Sequence, residues 1–534
     1  MNTTLARNLQ VLTPKDPSLA RLIAHTSPHP GLTLAHTPHG ETIPALTTPT
    51  GIRTLHSRID PDREAQRLIK AQRPKGFCIV LGLGAGYHLK ILLHTPEVHH
   101  ILVLEHDPSF LAALLSLVDL SDILSHPRIH LLLDPSPDLL SRTISRLFIP
   151  SLDHTYTIIP LRSRTLLAPT AFDHLLTTTR TILDTLSSDH ATQTRFGTTW
   201  MRNTLLNLPH LMRNTTIPPL PPRLAITGAG PSLIHTIPLL RNHPVLASDT
   251  SLPVLLHHDI TPFLVTSIDC QPYTLLHYAG LPSTRYPVLL DLAAPPPLVR
   301  TLPAPLLAAG PHPLHQYLAA HLPLPHIPSH TGNVAATLTL FALSHGAREI
   351  LLAGTDFAYP HLLPYPPGTF LWPYLLSRTT HTSPLLSGLL SLTLPRIHGD
   401  HTPPTSPLLS HYRTTLLAHL EKAGGTVVEY RPGTFHISAP ETPPETIPSR
   451  PPTLEDLSRT MTTYRNSLED LPPLASRLQF DTLPDEARAL WATLLPLLAS
   501  TQRRTLSAPL EEASRQTLTT ALRLLDHLSL TTLT

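Results

Sequence analysis

Residues 223–272 read RLAITGAGPSLIHTIPLLRNHPVLASDTSLPVLLHHDITPFLVTSIDCQP. The apolar run Leu224–Ile226 has the character of a strand buried on both faces. It ends in Gly228-Ala229-Gly230-Pro231-Ser232, and an apolar-periodic helix is expected over 233–240. A second strand over 245–247 ends at Asp249, and a third over 263–267 ends at Asp269. Strand, glycine turn and helix together aim backbone N–H groups at an anion. Two carboxylates then fall at the carboxyl ends of successive strands, the edge where open α/β sheets take ligands. The stretch reads as a nucleotide site, although the turn does not complete the G-x-G-x-x-G fingerprint.

Working outward, the same grammar recurs on both sides. Upstream, a strand over 77–81 meets the turn Gly82-Leu83-Gly84-Ala85-Gly86-Tyr87, a helix starts at His88, a strand over 101–104 ends at Glu105, and another spans 129–133. Glu105 stands where an acid takes a ribose hydroxyl, as in dinucleotide or S-adenosylmethionine sites. Glycines that only permit close helix–strand packing explain the same turn. Downstream, strands are expected over 286–290 and 305–309, then His330-Thr331-Gly332-Asn333 opens a helix over 334–345. A strand over 349–353 runs into Gly354-Thr355-Asp356-Phe357-Ala358-Tyr359, which brings a second helix N-terminus and a third strand-end carboxylate to the sheet.

These alternations imply an α/β protein with two Rossmann-like αβα units and a C-terminal helical region. Residues 1–75 form an N-terminal cap region, within which Asp60 and Pro61 open a helix through Ile69. The first α/β unit covers 76–164, and a helical connector with a Pro-rich linker covers 165–222. The central domain spans 223–440, closing with a helix over 411–423 and a strand over 426–430. Tyr365–Ser406 has little regular pattern and reads as a lid, an acceptor loop or a surface insertion. After a second Pro-rich linker, 453–534 is helical; Thr453 and Asp456 resemble a capping box, and Leu457, Met461, Tyr464 and Leu468 repeat on one core-facing stripe.

Composition narrows the classes. A formal net charge of +2 over 534 residues gives no basic field for nucleic acid. The 62 prolines and 35 histidines are amino acids that cytosine-rich codons supply, so a single His or Pro carries little weight. Cys78 and Cys270 sit beside buried strands and read as free core thiols. No signal-peptide core opens the chain, and no apolar run approaches the roughly 20 residues that span a bilayer. A reducing, cytoplasmic setting is the expectation. His312 with His315, and His398 with His401, are spaced to share a metal on a helix, but their Pro-rich context argues against one.

GAGPSL at 228–233, SDTSLPVLLHHDITPFLVTSID at 248–269, HTGNVAATLTLFALSHGAREILLAGTDFAYP at 330–360 and HYRTTLLAHLEKAGGTVVEY at 411–430 together resemble the 6-hydroxymethylpterin diphosphokinase MptE-like domain. That domain forms the core of the motility-associated-factor (Maf) glycosyltransferases, whose N-terminal part is similar to LHSRIDPDREAQRLI at 55–69 and VLGLGAGYHLKILL at 80–93. The resemblance implies a cytoplasmic enzyme that moves a nonulosonic, sialic-acid-like sugar from CMP to Ser or Thr of flagellin or a related protein. No metal or other cofactor, nucleic acid or membrane insertion is implied.

Such chemistry needs groups for the nucleotide, for the departing phosphate and for the acceptor's proton. Gly228, Gly230, Pro231, Ser232, Asp249, Asp269, Gln271, Thr331, Gly332 and Asn333 are the candidates for holding the nucleotide donor. Asp356, Tyr359 and His361 are the candidates for sugar contact and proton transfer, His361 because imidazole titrates near neutrality. Gly82, Gly84, Gly86 and Glu105 mark a second nucleotide-like site. Three other readings stay open: an ATP- and Mg²⁺-dependent pterin diphosphokinase, an S-adenosylmethionine-binding protein, and a scaffold without chemistry. The donor sugar, the acceptor and the oligomeric state are not set by the sequence.

Overall fold

The computed structural model describes residues 3–49, 51–214, 219–282, 285–303, 305–328, 331–441, 450–505 and 508–527. Ile217 and Pro218 of the first linker, His330, residues 442–449 of the second linker and the last seven residues lie outside the described residues. The chain forms two compact units. The first comprises 1–195, 473–484 and 498–515; the second comprises 196–472, 485–497 and 516–534. The helical C-terminal region, expected as one domain, is thus divided between them.

In the first unit, β1 (Leu32–His36), β2 (Thr42–Thr48) and β3 (Gly51–Thr54) form an antiparallel sheet. The helix Pro61–Gln72 follows; Asp60 caps it by accepting the Arg63 N–H at 2.7 Å, with Asp62 and Glu64 in the first turn where the helix dipole favours acids. A parallel sheet of order β6-β5-β4-β7 comes next, from β4 (Gly76–Leu81), β5 (Val98–Glu105), β6 (Ile129–Leu133) and β7 (Tyr156–Pro160). Every residue of β4 is buried, as a central parallel strand covered on both faces requires. Sequence pattern did not disclose β7, whose YTIIP is short and ends in proline.

The second unit carries an eight-stranded sheet. Its strands are β8 (Arg223–Thr227), β9 (Val245–Ser248), β10 (Leu264–Ser267), β11 (Val288–Asp291), β12 (Pro305–Ala308), β13 (Glu349–Ala353), β14 (Thr426–Arg431) and β15 (Thr434–Ser438). The order is β12-β11-β10-β9-β8-β13-β15-β14. All neighbours are parallel except at the β13, β15, β14 edge, where a hairpin runs antiparallel. From β8 the chain winds outward to β12, then returns to lay β13 on the other side of β8. That reversal creates a crevice between the ends of β8 and β13. The hairpin strand β15 was missed because Arg431-Pro432-Gly433 reads only as a stop signal.

The chain just beyond β10 and β11 is tied down. Asn203 and Asn207, near the end of the 39-residue helix Pro169–Asn207, reach over it. Asn203 Nδ2 donates to the Cys270 and Ala293 carbonyls at 3.1 and 3.0 Å, and Asn207 Nδ2 to those of Leu292 and Ala294 at 2.9 and 2.8 Å. Cys78 and Cys270 are buried free thiols, and burial pushes both up to about 12. Leu457, Met461, Tyr464 and Leu468 are core, and the Thr453–Asp456 capping box forms. The segment expected to lack regular structure contains two short helices, Leu371–Leu376 and Leu385–Thr393, which touch where Gly388 faces Leu375. No helix among the described residues is long and apolar enough to cross a membrane.

Candidate active site

A cavity of about 990 Å³ opens at the crevice. Its floor is built from the carboxyl ends of β8 (Gly228, Gly230), β9 (Asp249), β10 (Asp269) and β13 (Asp356). One wall is the N-terminus of the helix Val334–Ser344, with Gly332 and Asn333 ahead of it. The opposite side is bordered by Tyr365, Phe370, Leu371, Leu392, Arg396 and His398 from the segment after β13, and by Tyr412 from the helix Pro407–Lys422. Arg396 is the one Lys or Arg among the described residues lining it.

The glycine turn does not present its amides as the sequence suggests. Gly228 N–H donates to the Ala353 carbonyl at 2.9 Å, and Gly230 N–H to that of Gly354 at 2.7 Å. Ser232 N–H donates to Asp356 Oδ2 at 3.1 Å. The anion for which this turn is shaped is therefore the chain's own Asp356, set at the start of the helix Leu233–Leu240. A Cβ on Gly230 would lie 2.0 Å from Asp356 Oδ2, and one on Gly433 would lie 2.4 Å from Oδ1. The carboxyl group is wedged between the turn and the β14–β15 hairpin. Burial raises its pKa, against hydrogen bonds from Ser232. This placement makes Asp356 a brace for the floor.

The anion-binding end of the crevice is instead the second helix. Asn333 caps it by accepting the Ala336 N–H at 2.8 Å, while Val334 and Ala335, in the first turn, have no intrahelical acceptor for their N–H groups. Gly332 has φ +75°, and a Cβ there would meet the Tyr412 ring at 2.7 Å. Thr331 lies behind, buried, its hydroxyl 3.1 Å from that of Thr337.

The other carboxylates are held by neighbours. Asp249 Oδ1 accepts the Thr250 N–H at 2.7 Å and Oδ2 accepts the Ser267 hydroxyl. Asp269 accepts the Gln271 N–H at 2.9 Å and the Tyr273 hydroxyl, so Gln271 orients Asp269 from outside the lining. Pro231 and Ser232 also lie outside it. Tyr359 is buried and lines the cavity, whereas His361, two residues on, is exposed and does not.

Two imidazoles not among the proton-transfer candidates border the space instead. His398 Nδ1 lies 3.0 Å from the Arg396 carbonyl, an acceptor, so Nδ1 is the donor of that contact and Nε2 is not engaged by it. His277 is buried beside Phe370. Among 35 histidines, no spacing marked His277, and His398 stood out only through its spacing from His401, as a metal pair rather than as a base. His312 and His315 lie at and just inside the start of a helix, Pro313–His321, but His312 Nδ1 caps it through the Leu314 N–H, and His315 Nε2 sits 2.8 Å from the Thr204 hydroxyl. No group of three His, Cys, Asp or Glu among the described residues is arranged to hold a metal.

The second nucleotide-like turn is filled from within. Arg164 pairs with Glu105 at 2.9 Å, both fully buried, and its guanidinium lies 3.9 Å from the Phe110 ring centroid. Leu83 N–H donates to Glu105 Oε2 at 3.3 Å, and Ala85 N–H to His56 Nε2 at 2.8 Å. A Cβ on Gly82 would lie 2.7 Å from Arg164 Cγ, and one on Gly84 2.6 Å from His56 Nε2. The ribose position is occupied by arginine, so Gly82, Gly84, Gly86 and Glu105 serve packing here.

Comparison with known proteins bears on both units. Residues 52–151 match the family model described as the glycosyltransferase Maf N-terminal domain, and residues 202–361 that described as 6-hydroxymethylpterin diphosphokinase MptE-like. Two uncharacterized proteins of Treponema pallidum (strain Nichols) are each 31% identical to this chain. One matches over 179 residues, 32% of this chain and 84% of the relative; the other over 176 residues, 32% and 39%. The solved structure of MAf glycosyltransferase from Magnetospirillum magneticum AMB-1 is similar over 99% of this chain and 96% of that one, with a TM-score of 0.51 at 15% identity. At that identity the likeness speaks to the fold.

Proposed function

The chain belongs to the Maf glycosyltransferases, with their N-terminal and MptE-like parts in order, and from that premise we propose that it transfers a nonulosonic acid from a CMP donor to a Ser or Thr hydroxyl of flagellin or a related protein in the cytoplasm. The observation that carries this reading is the cavity of about 990 Å³ at the switch point, bounded by an open helix N-terminus. That space is at the upper end of ordinary ligand pockets, roughly 300–1,000 Å³, and suits a nucleotide-bound sugar with room for an acceptor side chain.

In the proposed reaction the bond from the anomeric carbon to the phosphate oxygen breaks, and CMP leaves with the electron pair. The acceptor oxygen bonds to that carbon and gives up its proton. N–H groups of Val334 and Ala335 face the negative charge that grows on the leaving phosphate. Arg396 adds a positive charge across the cavity from three carboxylates. Nε2 of His398 takes the acceptor proton, because Nδ1 is already engaged by the Arg396 carbonyl. Tyr359 and Tyr365 line the cavity, and in this reading they orient sugar or phosphate oxygens. No step asks for a metal.

Diphosphokinase chemistry fits this site less well. It needs carboxylates that share Mg²⁺ with the phosphates, whereas Asp249 and Asp269 are turned toward the chain's own donors and Asp356 is wedged against the glycine turn. The test is a thermal melt of the full chain with CMP, UMP and ATP plus a hydroxymethylpterin. Mass spectrometry of flagellin from cells lacking the chain accompanies it. A CMP-dependent rise in Tm and a flagellin lighter by one sugar per site are expected. A shift with ATP and pterin alone, and unchanged flagellin, would overturn the proposal.

A further inference from the structure

Asp249 ends β9, the second strand of its unit, where doubly wound folds place the acid that holds a ribose. Here both of its oxygens accept from Thr250 and Ser267. Asp269, at the end of the next strand, is likewise held by Gln271 and Tyr273. A nucleotide seated at this edge meets, beside these held carboxylates, a buried polar group that has no partner among the described residues.

His277 is that group. Its side chain is only 4% exposed, it lines the cavity, and its Nδ1 is buried with no hydrogen-bond partner. A buried polar atom left without a partner is unfavourable, so a partner arriving with a ligand is favoured. The ring is already fixed: it meets Phe370 edge-on at 4.4 Å and 87°, and Tyr273 at 6.3 Å and 74°. Burial lowers its pKa, with Asp249 and Asp269 opposing. The neutral ring carries one donor and one acceptor, which matches a hydroxyl that can do both.

We propose that His277 hydrogen-bonds a ribose hydroxyl of the nucleotide donor, an inference that rests on the transferase reading above. The ring also joins the ligand seat to the segment bordering the cavity, because Phe370 belongs to that segment.

Isothermal titration of the full chain with CMP and with 2′,3′-dideoxy-CMP tests it in wild type and His277→Phe, a variant that keeps a ring against Phe370. Wild type is expected to prefer CMP by about 10-fold, the worth of one hydrogen bond to a buried group. His277→Phe is expected to bind both nucleotides equally, at the wild-type affinity for the dideoxy form. A His277→Phe protein that keeps the preference overturns the inference, as does a wild type that shows none. Should His277→Phe not fold, His277→Leu is read by the same criterion. If wild type binds neither nucleotide, the CMP-transferase reading itself fails and takes this inference with it.

Discussion

Two glycine turns stand at the ends of β4 and β8, and they look alike in sequence. In both, the amides are taken by the chain itself: by Glu105 and His56 in the first, by Asp356 and the neighbouring strand in the second. The difference lies beside the turn. In the first unit Arg164 fills the space and pairs with the strand-end acid. Both units lay a later strand on the far side of the first, β7 against β4 and β13 against β8, but among the described residues only in the second does a further helix bring its N-terminus to the crevice. Glycines thus report close backbone packing, here and there alike. A ligand site is reported by what remains unsatisfied.

The sharpest way to break this comparison is Arg164→Leu. It leaves Glu105 buried without its cation and should cost about 3–5 kcal/mol of stability in urea titration, while CMP binding by the second unit persists. Loss of CMP binding with stability intact would show that the plugged turn is functional.

Next in size is a contrast between buried acids. Glu105 has Arg164, whereas Asp291 has no cation beside it among the described residues, only the Ala293 N–H at 2.8 Å and the His315 ring at 3.8 Å, and burial pushes it up to about 7 against that hydrogen bond. Because its folded pKa lies above the usual carboxylate value, its contribution is fully present below about pH 4. That contribution is lost as pH rises through 7. With each pKa unit worth about 1.4 kcal/mol, wild-type stability relative to Asp291→Asn should fall by on the order of 3 kcal/mol between pH 4 and 8. A flat difference across that range would mean that the acid is solvated or paired.

Gly230→Ala comes third. Its methyl would overlap Asp356, so about 1–3 kcal/mol of overpacking is expected, together with weaker CMP binding by calorimetry as the floor shifts. The smallest effect belongs to His56→Leu, which removes the acceptor for Ala85 N–H. About 1–2 kcal/mol should go, with CMP affinity unchanged. Equal loss of CMP affinity in Gly230→Ala and His56→Leu would erase the distinction between the turns.

Much of this architecture is legible in the residues. Apolar runs ending in glycine gave β4, β8 and β13, and the caps at Asp60, Asn333 and Thr453 were readable because capping is local. The strand-end carboxylates 249, 269 and 356 are where pattern put them. Roles were harder. Asp356 accepts the Ser232 N–H across a separation of over a hundred residues, which no local pattern encodes. His361, Pro231, Ser232 and Gln271 were proposed by proximity in sequence, and the lining excludes them. His277 was invisible among so many histidines, and His398 was read only as a partner of His401.

What the sequence alone determined is the alternation of buried strands and capped helices, since periodicity, turn residues and caps act over a few positions. Tertiary structure alone decided that β13 would lie against β8, that Arg164 would fill one turn, and that one crevice would stay open. Those outcomes depend on which distant groups meet, and a buried donor or charge is worth little or much according to the partner it finds there.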